Sequence, residues 1–221
     1  MPYGLVQIVA PTDISLDLDE AKLWLRIDKD QTAEDGLVEE LIRDAEDRAQ
    51  RICERQFLTA TWTLTLDRFP LPEKPSNPVY RLPGQTFPQS IQMQGSSDGI
   101  LRLPRPPLQA VTSIVYLDTT GTPITLDPSL YLVDTACEPG RVAPAYGKVW
   151  PTIRDQLGAV TIIYTAGYGN KQADVPAALK QRLKNLVAYA YRNRENPDLL
   201  DALAEKLFAQ FWVGTMSAGS P

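Results

Sequence analysis

The chain has 221 residues, 43% of them hydrophobic, with a formal net charge of −5 and no histidine. That length and apolar content support one large or two small cores, and the acidic balance disfavours ordinary nucleic-acid binding. Lacking histidine, the chain has no Ser-His or Cys-His nucleophile pair, no histidine zinc site and no imidazole general base.

No run of eighteen apolar residues predicts a membrane span. The opening stretch MPYGLVQIVAPTD lacks the basic and long apolar regions of an export signal, so Cys53 and Cys137 are expected as reduced thiols. Charge divides the chain into three parts: net −7 over residues 1–58, neutral over 59–170 and +2 over 171–221. Fourteen of the nineteen prolines lie in the middle part, where helices are least expected.

The first part reads as two helices. Asp17 to Glu20 has capping-box spacing, with Leu18, Ala21 and Leu25 on one face and Trp24 beside them. After the polar loop DKDQTAED, Leu37, Leu41, Ala45, Ala49 and Ile52 mark a longer helix, its stripe widened by Ile42 and Cys53.

The middle part reads as β-structure. Trp62, Leu64 and Leu66 alternate with Thr61, Thr63 and Thr65. Residues 69–99, rich in Pro, Ser, Gly and Gln, predict a long loop. Further strands are expected at 100–103, 110–118, 124–126, 130–134 and 159–166, which together suggest a small antiparallel sandwich or barrel. Before the second of these, in LPRPPLQAVTSIVYLD, Pro104, Pro106 and Pro107 lack backbone donors. They are expected to hold the chain extended and unpaired, and to guard a sheet edge.

The last part is helical again. Leu179, Leu183, Leu186, Val187 and Ala190 form one stripe, and a final helix runs from Leu199 to Trp212. At about 100° per residue, the apolar side chains of this final helix cover an arc of roughly 220°, wider than packing on one side requires. The order of elements predicts an α+β protein. Residues 1–58 and 171–221 would form a discontinuous helical domain of about four helices, and 59–170 an inserted β-domain.

Three stretches invite chemical readings. DKDQTAEDGLVE, residues 28–39, places Asp28, Asp30, Thr32, Glu34 and Glu39 at EF-hand ligand positions, but Ala33 stands where the turn needs glycine. TAGYGN, residues 165–170, lacks the Lys-Ser/Thr of a P-loop and reads as a strand-ending turn. Asp118, Asp127 and Asp134 sit at strand ends, where carboxylates commonly serve the turn itself.

The ordered series LPRPPLQAVTSIVYLD, LDPSLYLVDTACEPGRVAPAYGKVWP, VTIIYTAGYG and VPAALKQRLKNLVAYAYRNRE resembles the head–tail connector proteins of tailed bacteriophages. These are also called adaptor or head-completion proteins, and the likeness is to the branch with a β-domain inserted in the helical connector. It runs from about residue 16 to about 195. It implies a virion neck protein assembled in the host cytoplasm, a ring usually of twelve copies seated beneath the portal protein. Such a ring extends the DNA channel, lets the genome pass without specific binding, and meets a downstream stopper or tail terminator. The resemblance implies no catalytic residues, cofactor or metal, and no membrane. It makes Phe208, Phe211 and Trp212 candidate portal-interface residues. The alternative is another tail or baseplate component whose β-domain binds host glycan through Trp62, Tyr80, Tyr116, Tyr131, Tyr146 and Trp150.

Overall fold

A computed structural model of the chain describes residues 3–70, 99–194 and 197–213. The loop expected at 69–99 therefore lies, over 71–98, outside the described residues.

The chain begins in a strand, β1 (Tyr3–Val9), then forms helices α1 (Leu18–Leu25) and α2 (Asp35–Cys53). Strands β2 (Ala60–Leu66), β3 (Leu101–Arg102), β4 (Leu108–Leu117), β5 (Pro123–Thr125), β6 (Tyr131–Asp134), β7 (Arg141–Pro144) and β8 (Val160–Ala166) follow. Helices α3 (Ala177–Arg192) and α4 (Pro197–Phe208) close the order, with a 3-10 turn over Ala209–Phe211. The architecture is α+β, as the sequence predicts.

Five strands form one antiparallel sheet in the order β1-β2-β8-β4-β5, and β3-β7-β6 form a second. In the paired central strands Trp62 lies opposite Tyr164, Leu64 opposite Ile162 and Leu66 opposite Val160. All six are buried, while the alternating Thr61, Thr63 and Thr65 are only half-buried, as a period of two requires. Leu101, Tyr131 and Val142 of the smaller sheet join the same core, so the two sheets share one interior.

A second core gathers the helices. Asp17 caps α1 by accepting from the Glu20 amide at 3.2 Å, and Arg26 closes it in the left-handed region at φ 63°. The α3 stripe is buried at all five expected positions. In α2 the buried line is Val38, Ile42, Ala45, Ala49 and Cys53, rotated from the one expected, with Leu41 and Ile52 at its margins. Packing against both α3 and α4 explains the rotation. Apolar residues lie on both flanks of α2, and the faces of its partners choose the centre.

Two strands escape the sequence reading. Residues 3–9, expected to belong with the helices, form β1 on the edge of the larger sheet, with Leu5 opposite Leu64. Residues 141–144, too short and proline-flanked to announce a strand, form β7 between β3 and β6. The chain thus starts in the β-core, crosses to the helical core, returns, and crosses back.

The proline stretch is a joint and not an extended lead-in. Arg105 bends the chain at φ 61°, and every proline carbonyl there accepts a hydrogen bond. Pro104 takes the Tyr164 hydroxyl at 2.9 Å, Pro106 the Gln56 amide at 3.0 Å, and Pro107 the Gly167 amide at 2.9 Å. Residues without donors are suited to a crowded crossing where only acceptors are needed.

Candidate functional site

The structure gives each chemically suggestive stretch a local structural task. In the EF-hand-like loop, a lysine of α1 supplies a buried positive charge. Lys22 is 1% exposed, and its ammonium donates to the Lys29 carbonyl at 2.8 Å and pairs with Asp35 at 2.7 Å. Glu34 accepts from the Tyr191 hydroxyl, tying the same loop to α3. Among the described residues no group of three or more His, Cys, Asp or Glu side chains could hold a metal ion.

The three aspartates each close their own turn. Asp118 accepts from the Thr120 amide and hydroxyl and from the Thr122 amide, and these bonds, the Thr120 hydroxyl first, hold its carboxyl below the usual range. Asp127 accepts from the Ser129 amide. Asp134 accepts from Arg141 at 2.5 Å and 3.1 Å, and that guanidinium leads the effects that lower its pKa to about 2. Each is stabilised as an anion, opposite to what a general acid requires.

TAGYGN is a close crossing. Gly167 has φ 133°, and a Cβ there would lie 2.7 Å from the backbone of Leu58 and Thr59. The Tyr168 amide donates to the Phe57 carbonyl, and the Thr59 amide to the Gly169 carbonyl, both at 2.9 Å. The glycine spares the space for backbone, not phosphate.

The aromatic residues of the middle part build the core. Trp62, Tyr131 and Trp150 are buried, and Trp150 stacks on Phe69 with ring centres 4.6 Å apart. Tyr116 is half-buried, Tyr80 lies outside the described residues, and Tyr146 is fully exposed. They do not form the open aromatic platform expected of a glycan site.

The candidate interface residues separate. Phe208 is 0% exposed within the helical core, so its burial inside the chain accounts for part of the wide apolar arc. Phe211 is half-buried against the same core, and its carbonyl accepts from Arg55 Nε at 2.8 Å. Trp212 is 57% exposed, and Leu199 on α4 is 53% exposed. Only the outer part of the stripe is available to a partner.

Arg55 is the residue sequence reasoning missed. It follows α2 by two positions and reaches three separate segments: the Phe211 carbonyl, the Tyr168 hydroxyl at 3.0 Å and the Glu138 carboxylate at 2.7 Å. Nearby, Arg105 Nη1 donates to the Gln50 carbonyl at 2.8 Å, and its guanidinium lies 5.4 Å from the centre of the Trp62 ring. Two arginines thus brace the junction between the cores. No periodic pattern signals such a role.

Residues 15–101 match a family model described as phage gp6-like head–tail connector protein. The resemblance read from the motif series is borne out over that stretch, where the chain is similar to the head–tail connector family. Its fold recurs in a chain from the neck of an empty GTA particle, computed with C6 symmetry, at TM-score 0.68 and 21% identity, covering 99% of this chain and 100% of that one. A chain from the virion of a native gene transfer agent (GTA) particle has TM-score 0.68 at 20% identity, covering 98% and 99% of the two chains. One from the neck of the native particle, computed with C12 symmetry, has TM-score 0.60 at 19% identity, covering 99% and 100%. No curated protein matches.

Proposed function

We propose that this connector is a structural adaptor of the virion neck: a ring, of twelve copies, that joins the portal of the capsid to the next neck or tail component and continues the DNA channel. The observation that carries this reading is the connector family match over 15–101 combined with a fold shared along nearly the whole chain with neck chains. The role is architectural. The stretches that could suggest catalysis are engaged in turns, a backbone crossing and a buried ion pair.

Within the ring, the helices of residues 1–58 and 171–221 act as a discontinuous helical unit with 59–170 as its β-insert, to whose sheet β1 (Tyr3–Val9) adds an edge strand. The two hydrophobic cores and the arginine-braced junction support that division. Trp212 meets the portal through its exposed indole, Phe211 supports it, and Phe208 holds the helix that carries both. The net charge of −5 suits a channel that must let DNA pass without gripping it.

Electron microscopy of the purified protein mixed with its portal ring tests the proposal. A ring stacked coaxially beneath the portal is expected. A protein that stays monomeric, alone and with portal, overturns it.

A further inference from the structure

The end of α2 and the residues after α4 meet in a short backbone clamp around Trp212. α2 closes at Cys53, and the next residue, Glu54, turns the chain in the left-handed region at φ 53°. That conformation is uncommon for a residue with a side chain, so the surrounding contacts must hold it. The Cys53 carbonyl, a helix-end acceptor without an intrahelical partner, takes the Val213 amide at 3.3 Å. Two residues on, Arg55 Nε donates to the Phe211 carbonyl at 2.8 Å. The Trp212 amide itself donates to the Ala209 carbonyl at 3.2 Å. Trp212 is thus tied through its own backbone and through both of its neighbours.

Its side chain is not confined in the same way. Phe208 is buried and Phe211 half-buried against the helical core, while Trp212 is 57% exposed. A large aromatic ring on a fixed backbone has the makings of an anchor, because binding has only two side-chain torsions left to order.

The shape of Arg55 fits it to the clamp. Its side chain is 12% exposed, and its planar fork serves three segments at once. While Nε holds the Phe211 carbonyl, Nη1 meets the Tyr168 hydroxyl at 3.0 Å and the Glu138 carboxylate at 2.7 Å. Those two partners, from the turn after β8 and the β6–β7 loop, fix the plane of the guanidinium and so the aim of Nε. A lysine ammonium, one point on a flexible stem, cannot span the same set.

We propose that Arg55 is a positioning residue for the neck interface: it holds residues 211–213 against the end of α2, so that the Trp212 indole is presented pre-formed to its partner. This role rests on the reading of Trp212 as a portal contact, and it names the residue that makes the contact effective. Without Arg55 the same indole must be ordered on binding, and part of the affinity is lost.

Hydrogen exchange and portal binding of the full-length protein test it. In the wild type the Val213 amide should exchange at least about tenfold more slowly than an unstructured amide, and R55A should remove that protection. R55A should also bind purified portal rings about tenfold more weakly. R55K keeps a charge beside Glu138 but has no Nε, so it should behave as R55A does, and it replaces R55A if that variant fails to fold. Because Arg55 acts through the indole, R55A/W212A should bind portal no more weakly than W212A alone. Wild-type portal binding by folded R55A or R55K, with W212A weak, overturns the positioning role and leaves the portal contact standing. Additive losses in the double variant, or an unprotected Val213 amide in the wild type, do the same. Normal portal binding by folded W212A overturns the portal contact and the positioning role together.

Discussion

The Gln56 amide donates to the Pro106 carbonyl at 3.0 Å, linking the end of α2 to the entrance of β4 across fifty residues of sequence. Around that bond Tyr164, Gly167, Arg105 and Gln50 complete a joint made almost entirely of backbone carbonyls and their donors.

Removing Arg105 should loosen that joint. R105A loses a charge-assisted bond to the Gln50 carbonyl and the stacking on Trp62, which together contribute about 1–3 kcal/mol. Chemical denaturation should show a lower midpoint, and an unchanged midpoint would show that the brace carries little.

The loop between α1 and α2 should depend on an ammonium and ignore calcium. K22A leaves the Asp35 carboxylate and the Lys29 carbonyl without their donor and is expected to cost about 2 kcal/mol. Calorimetry of the wild type with millimolar calcium should give no binding heat, and a saturable heat would reverse this reading of the loop.

Gly167 should tolerate no side chain. Alanine would face backbone 2.7 Å away while holding a φ of 133°, at a cost of at least about 2 kcal/mol. A thermal melt of G167A indistinguishable from wild type would contradict the close crossing.

The two ends of the terminal stripe should respond differently. F208A opens a cavity in the helical core and should lose about 3–5 kcal/mol. W212A should stay within about 0.5 kcal/mol of wild type yet bind portal more weakly. Equal portal binding by folded W212A would remove the indole from the interface.

Glu46 should make the protein less stable as pH rises. Burial, the largest influence, pushes its carboxyl above the ordinary value of 4.5, outweighing the Ser15 amide bond. The folded state therefore holds a proton that the unfolded chain has released, and stability falls as pH climbs from 4.5 through the raised value. E46Q keeps an acceptor for Ser15 and should exceed wild type in stability at pH 8, with the gap narrowing toward pH 4.5. A constant gap across that range would contradict this.

Local patterns determine much of this protein. The Trp62–Leu66 alternation, the α3 stripe and the Asp17 cap each depend on residues within a few positions of one another, so the sequence alone places them. The ordered motifs likewise carry the connector resemblance. Tertiary structure decides what depends on distant partners. Phe208 and Trp212 share an apolar stripe, and only the presence of α2 and α3 makes one core and the other surface. No local pattern marks Lys22 for burial, which its partners Asp35 and the Lys29 carbonyl make possible. The prolines before β4 show which donors they lack, but their carbonyls find Gln56, Tyr164 and Gly167 only when the two cores meet. Periodicity records which face of an element is apolar, while the choice of hydrogen-bond partner across the fold is a three-dimensional fact.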